Sequence, residues 1–337
     1  MPAGYVPASM VMDNTNPHLE EEPVCRLWES FVHGLIAVFL LVLALVIAHY
    51  CWPSSNHGLQ DQVSQLSHEV EQLRQEQAMP AMVLNRYRNS VCYIYGLYQV
   101  AYAGQKPVMQ VRISGTGFVV AEGLLVTNRH VAEPWYGDAD SDDLIKKGAT
   151  PQLEKLVAFF PGFSAPVDIT PIVWSSQGDL AVLRIEDSRA ARHLRPIPLA
   201  DAPSNPGELV AVVGYPMGVL GMVAKSPEAV YQRLAFRHDD IGAANELAAL
   251  SLIRPSATYG HLGDVVGDKL IYDAPTAHGG SGGPVFNSQG QVIGINEAFI
   301  DGFSGGTLGI SVHALRPLIA AAQAKSLPPS AGTSPRP

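Results

Sequence analysis

Hydrophobic and polar positions divide this chain into three textures. From Gly34 to Ala48 every residue is apolar, and Phe31 and Val32 extend the run ahead of His33. Trp28 and Trp52 bracket it, 24 positions apart, which is about 36 Å of α-helix. Such a length crosses a bilayer core with some tilt, and tryptophans belong at the two interfaces. A transmembrane helix is therefore expected over 27–52. No polar face recurs at a helical period, which argues against a buried core helix. The acidic lead-in (Glu20, Glu21, Glu22) and the exit His49-Tyr50-Cys51-Trp52 match neither a cleaved signal peptide nor a lipoprotein signal, because both need small residues at the cut. Arg26 precedes the run and no Lys or Arg follows until Arg74. The positive-inside rule then makes residues 1–26 a disordered cytoplasmic tail. It places the remainder on the outer, periplasmic or otherwise extracytoplasmic side of a single-pass membrane protein.

The second texture follows a turn-rich Pro53-Ser54-Ser55-Asn56-His57-Gly58. Leu59, Val63, Leu66, Val70 and Leu73 recur at spacings of 4, 3, 4 and 3 among glutamines and glutamates. Residues 53–80 thus read as a linker and a short heptad helix ended by Pro80. Residues 59–77 would pair as a homo-oligomeric coiled coil, dimer or trimer. The competing reading is one amphipathic helix lying on the globular part.

From about residue 85 short apolar runs alternate with Gly, Pro, Asn and Asp. Strands are expected at 91–100, 109–113, 117–121, 124–127, 156–160, 168–174, 180–185, 209–213, 269–272, 284–286 and 291–295. Many short strands with regular turns mean a sandwich or a barrel. One helix, 312–325, closes the domain 81–325, and the Pro/Ser-rich 326–337 reads as an unstructured tail.

Composition narrows the function. A formal charge of −9 without any basic run excludes a nucleic-acid surface. Three cysteines, two of them near the apolar segment, leave no disulfide framework for the globular part. Cys92, in an apolar run, reads as a buried inert thiol.

Three motifs carry chemistry. Gly279-Gly280-Ser281-Gly282-Gly283-Pro284 walls a serine with glycines, which lets a substrate backbone approach and frees N–H donors for an oxyanion. By position the donors are Gly279 and Ser281. Upstream, Leu124-Leu125-Val126-Thr127-Asn128-Arg129-His130-Val131 ends an apolar strand on a histidine suited to act as general base. Between them, Gly178-Asp179-Leu180-Ala181-Val182-Leu183 opens an apolar strand on a carboxylate that needs a partner. Separately each is modest, but the order His, Asp, Ser makes a strong joint signal.

With Gly115–Val120, Gly214-Tyr215-Pro216-Met217-Gly218, Asp273-Ala274, Val292–Asn296 and Gly309–Val312 added, residues 88–325 resemble the trypsin-like (chymotrypsin-fold) serine peptidases, and within them the HtrA/Deg branch. The resemblance implies an all-β double six-stranded antiparallel barrel with a C-terminal helix, here preceded by the transmembrane helix and short coiled coil. It assigns His130 as base, Asp179 as orienting acid, Ser281 as nucleophile, and Gly279 with Ser281 as the oxyanion hole. Relatives in that branch usually carry one or two PDZ domains after the protease domain, and recruitment through such a domain is not expected in this sequence. Gly280 stands where Asn or Asp is usual, so no carboxylate there can receive a freed N-terminus. Activation by propeptide cleavage is therefore not expected.

Residues 221–254 read as a helical insertion, with Ser226 capping a helix begun by Pro227 and a second helix from Asp239–Asp240 to Leu250. It is either a lid over the cleft or an elaboration on the outer surface. For the substrate pocket the candidates are Pro275, Ile295, Asn296 and Glu297. Uncharged Pro275 at the floor favours small or medium aliphatic side chains, and Glu297 would favour basic ones only if it faced inward. Asp138, Asp140, Asp142 and Asp143 lack the glycine and the final Glu of a calcium loop. His278 has no partner ligands at metal spacing, so neither metal nor organic cofactor is expected. The leading reading is a membrane-anchored serine endopeptidase acting on unfolded or extended protein segments. The alternative is a catalytically silent or latent protease-fold binding or scaffold module at the membrane.

Overall fold

A computed structural model describes residues 23–299 and 306–326, so the expected tails, 23–26 and Ser326 apart, lie outside the described residues. The chain divides into two compact units at Glu71/Gln72. Helix α1 (Pro23–Tyr87) contains the apolar segment Trp28–Tyr50, 23 residues with a mean hydropathy of 2.9 and none of it buried. Leu59, Val63, Leu66, Val70 and Leu73 are likewise exposed.

Two sequence expectations fail here. The helix begins at Pro23, and neither Pro53–Gly58 nor Pro80 interrupts it. A proline deletes one donor without ending a helix whose other bonds persist. Past Pro80, tertiary burial overrides local propensity. Met79, Val83 and Tyr87, one turn apart, are 1%, 0% and 7% exposed. The Tyr87 ring stacks on Phe286 at 5.5 Å between centroids. The last turns of α1 are thus part of the globular core.

The first barrel closes in the order β1 (Val91–Ala101), β2 (Met109–Ala121), β3 (Leu124–Thr127), β6 (Ala181–Ile185), β5 (Val167–Trp174) and β4 (Thr150–Phe159), all pairs antiparallel. Strand β1 is buried on both faces, which explains its unbroken run Val91–Tyr95. Val91, Tyr93 and Tyr95 enter the central cluster between the barrels, while Cys92 and Ile94 fill the first barrel. Each large side chain so enclosed stabilises the fold by roughly 1.5–3 kcal/mol. Short helices α2 (Arg129–Ala132), α3 (Ala139–Lys146) and α4 (Ser188–His193) decorate the connections. Asp138, from the rejected calcium pattern, caps α3 by accepting from the Ser141 N–H at 2.8 Å.

The second barrel closes as β7 (Leu209–Gly214), β8 (Ser256–Val266), β9 (Lys269–Tyr272), β12 (Thr307–Ser311), β11 (Val292–Phe299) and β10 (Pro284–Phe286). Helix α8 (Val312–Ser326) follows. Strands β8 and β12 were not anticipated. β8 is polar along most of its length, and its place is set by ladders to β7 and β9 rather than by an apolar face.

The insertion forms α5 (Gly218–Ala224), α6 (Glu228–Leu234) and α7 (Asp240–Ala249). Val219, Met222, Val223, Leu234, Ala244 and Leu247 join the central cluster with Met79, Val83 and Tyr215. The insertion is a packed buttress rather than a free flap. Asp239 caps α7 as expected, accepting from the Gly242 N–H at 3.0 Å. Ser226 does not cap α6, because its hydroxyl turns back to the Met222 carbonyl at 2.9 Å and closes α5.

Candidate active site

The candidate residues lie on three segments, two of the first barrel and one of the second. His130 lies in the first turn of α2, just beyond β3, and Asp179 lies just before β6, the strand paired with β3. That pairing brings residues 49 apart in sequence together. The Asp179 Oδ2 is 2.5 Å from His130 Nδ1, and Oδ1 accepts the His130 backbone N–H at 2.8 Å. The buried Asn128 adds a third tie, donating from Nδ2 to the Asp179 carbonyl at 2.8 Å. The imidazole can then turn only about a fixed hinge, with Nδ1 committed to the carboxylate and Nε2 available for proton transfer.

Ser281 sits in the loop before β10. Gly279 and Gly282 have φ of +88° and +87°, a region where a side chain is strained. A Cβ at Gly279 would stand 2.6 Å from the Tyr215 carbonyl, and one at Gly282 would stand 2.1 Å from the Thr116 carbonyl. The loop is sewn to the first barrel. The Thr116 N–H donates to the Ser281 carbonyl at 2.8 Å. The Thr116 hydroxyl donates to the Gly279 carbonyl at 2.7 Å and accepts from the Tyr215 N–H at 3.0 Å. On its other side the His278 carbonyl accepts from the Met217 N–H at 2.6 Å. Among the described residues, no acceptor takes the N–H of Gly279 or of Ser281. Both donors therefore remain available for an oxyanion. The Ser281 hydroxyl itself donates to the Glu297 carbonyl at 3.1 Å.

The substrate-pocket candidates separate. Pro275 is exposed, and its carbonyl accepts from the Thr258 hydroxyl at 2.7 Å. Ile295 and Asn296 are 0% and 1% exposed, so neither side chain lines an open pocket. Asn296 instead holds the loop from beneath. It accepts from the Tyr272 hydroxyl at 2.7 Å and donates to Thr276 Oγ1 at 3.1 Å. The half-buried Glu297 borders a different cavity of about 580 Å³, alongside Trp174, Gly178, Leu180, Lys269 and His313. Burial raises its carboxyl above the ordinary range and the charge of Asp179 raises it further, while His130 and Lys269 oppose the shift. The sequence reading gave no role to Thr116, although its place inside Gly115-Thr116-Gly117 was the available signal. Among the described residues no group of three or more His, Cys, Asp or Glu side chains could hold a metal ion.

Comparison with known proteins agrees with the double-barrel fold. A family model for the trypsin-like peptidase domain matches residues 115–295, more than half of the chain. The chain is 32% identical over 202 residues to a probable periplasmic DegP-like serine endoprotease of Rhizobium meliloti, covering 59% of this chain and 30% of that protein. It is 28% identical over 191 residues to a serine protease of Mycobacterium tuberculosis, covering 56% of this chain and 37% of the relative. The chain thus spans about a third of the length of these curated relatives. A crystal structure of a serine endoprotease from Yersinia pestis is similar over 72% of this chain and 65% of that one, at 18% identity and a TM-score of 0.47. From the paired barrels and the match across 115–295, the chain belongs to the trypsin-like peptidase family.

Proposed function

We propose that this chain is a membrane-anchored serine endopeptidase that hydrolyses peptide bonds in unfolded or extended protein segments. The carrying observation is the double hold of Asp179 on His130, together with a glycine-walled serine whose loop leaves two N–H donors unspent among the described residues. In the proposed reaction the Ser281 hydroxyl leaves the Glu297 carbonyl and gives its proton to His130 Nε2. The Ser281 oxygen bonds the substrate carbonyl carbon while the carbonyl oxygen takes negative charge against the Gly279 and Ser281 N–H groups. His130 then protonates the departing amine as the C–N bond breaks. Water repeats the sequence on the resulting ester and releases the acid.

The anchor is proposed from the exposed apolar segment Trp28–Tyr50. Arg26 on one side, with no Lys or Arg on the other until Arg74, supports a cytoplasmic N-terminus and an extracytoplasmic peptidase domain. The exposed Val/Leu seam of Leu59–Leu73 supports self-association as a dimer or trimer through 59–77, which tethering in one membrane would strengthen.

The second reading is a latent or silent protease-fold module. In its favour, the Ser281 hydroxyl is engaged with Glu297 rather than with the imidazole. A fluorophosphonate probe applied to the full chain in detergent separates the two. Labelling that disappears in Ser281→Ala is expected, and an unlabelled, folded wild type would overturn the peptidase reading.

A further inference from the structure

Away from the cleft, three cavities of about 420, 570 and 560 Å³ lie in a row. The first two share the walls Leu84, Arg254 and Pro255, and the last two share Asn89, Pro161 and Gly162. They therefore form one trough, across the end of α1 and the β4–β5 turn. Along it stand Lys225, Arg254, Arg88, Arg86, Arg192 and Arg195, and none of the lining residues is Asp or Glu.

In a chain of net charge −9 this segregation needs a cause. Six arginines elsewhere on the domain find carboxylates, although among the described residues Arg189 does not. Arg112 meets Asp240 at 3.7 Å, Arg129 meets Glu133 at 2.6 Å, Arg184 meets Glu186 at 3.3 Å and Arg316 meets Asp201 at 2.6 Å, while Arg233 and Arg237 share Glu246. Among the described residues, none of the five trough arginines has a carboxylate within the 4.0 Å of an ion pair. Lys225 sharpens the point. Its ammonium donates to the Arg254 carbonyl at 3.1 Å and to Ser256 Oγ at 2.7 Å, leaving one donor for another acceptor. Burial, and then the nearby charge of Arg254, lower its pKa. Like charges held together without a counter-charge are poised for an anion that arrives from outside.

We propose that this trough is an exosite for an acidic, extended polypeptide segment. Guanidinium forks match carboxylates two bonds at a time. Three adjoining recesses suit a chain carrying several carboxylates better than one small anion. Cations lining a recess are reached by a strand, whereas a bilayer meets a protein across a flat front. The proposal concerns binding alone and stands whether or not Ser281 is an active nucleophile.

The test uses the full chain in detergent carrying Ser281→Ala, so that turnover plays no part, and a fluorescein-labelled deca-glutamate read by anisotropy. Saturable binding is expected, weakening steeply between about 0.05 M and about 0.5 M salt, with no binding of deca-glutamine. Arg88→Gln/Arg254→Gln and Arg192→Gln/Arg195→Gln should each weaken it about tenfold, whereas Arg184→Gln, outside the trough, should not. Absence of binding, equal binding by all variants, or tighter binding of inorganic tripolyphosphate than of the peptide would each overturn the proposal.

Discussion

Asp179 grips His130 twice, through the ring at 2.5 Å and through the backbone N–H at 2.8 Å. The two bonds have different consequences. The backbone bond fixes where α2 begins, while the ring bond fixes which imidazole nitrogen carries the proton. Asp179→Asn can keep the first with its remaining oxygen and must spoil the second. Peptidase kcat is expected to fall about 10⁴-fold, while the melting temperature changes little. An equal loss in Asp179→Asn and in an unfolded control would contradict this separation.

Thr116 is expected to behave as a positioning residue. Thr116→Val keeps the shape but strands the buried Gly279 carbonyl and Tyr215 N–H, at a cost of about 1–3 kcal/mol for each unpaired group. Denaturant melts should record the loss, and the rate of fluorophosphonate labelling should drop with it. Thr116→Ser should restore both, because the hydroxyl is what the loop uses.

Glu297 provides a pH signature. Its carboxyl titrates above the ordinary range in the folded state, chiefly through burial, so the folded chain holds that proton more tightly than the unfolded one. Its stabilising share is complete below the ordinary carboxylate pKa and is lost as pH rises through the raised value. Glu297→Gln has no such loss. Relative to wild type, the variant should melt higher at about pH 7 than it does at about pH 4. A difference in melting temperature that is constant with pH would refute the assignment.

Tyr87→Ala removes the ring stacked on Phe286. The expected cost is about 3 kcal/mol, from the lost burial and the cavity left behind. Unfolding by urea is the measurement, and an effect within about 0.5 kcal/mol, as at an exposed site, would mean that the helix end is not part of the core.

The proposed anchor predicts that alkaline carbonate leaves the full chain in the membrane pellet, and that deleting residues 1–71 moves it to the supernatant. Release of the full chain by carbonate would reduce Trp28–Tyr50 to a peripheral contact.

The residues of the site were legible because each lies where local chemistry is least ambiguous. Ser281 is walled by glycines, and His130 and Asp179 stand at the ends of apolar strands whose pairing, β3 against β6, follows from the barrel. What escaped was decided at a distance. Nothing local in Ser256–Val266 reads as a strand, because two neighbouring ladders hold it. Pro80 reads as a stop until Met79 and Val83 are seen to be buried. Ile295 and Asn296 follow a glycine in a strand near the nucleophile and so read as pocket walls. The alternation of β11 instead turns Ile295 into the core, and two hydrogen bonds hold Asn296 beneath the loop.

The continuity of α1 also bears on how the chain, anchored as proposed, could be shed from a membrane. A cut in the exposed helix between Leu59 and Leu73 would free a domain that keeps Met79, Val83 and Tyr87 as its own plug. A cut beyond Tyr87 would leave the plug behind with the anchor and open the Phe286 ring to water. Only the first product would keep the core closed, so the position of a cut along one helix separates release from unfolding.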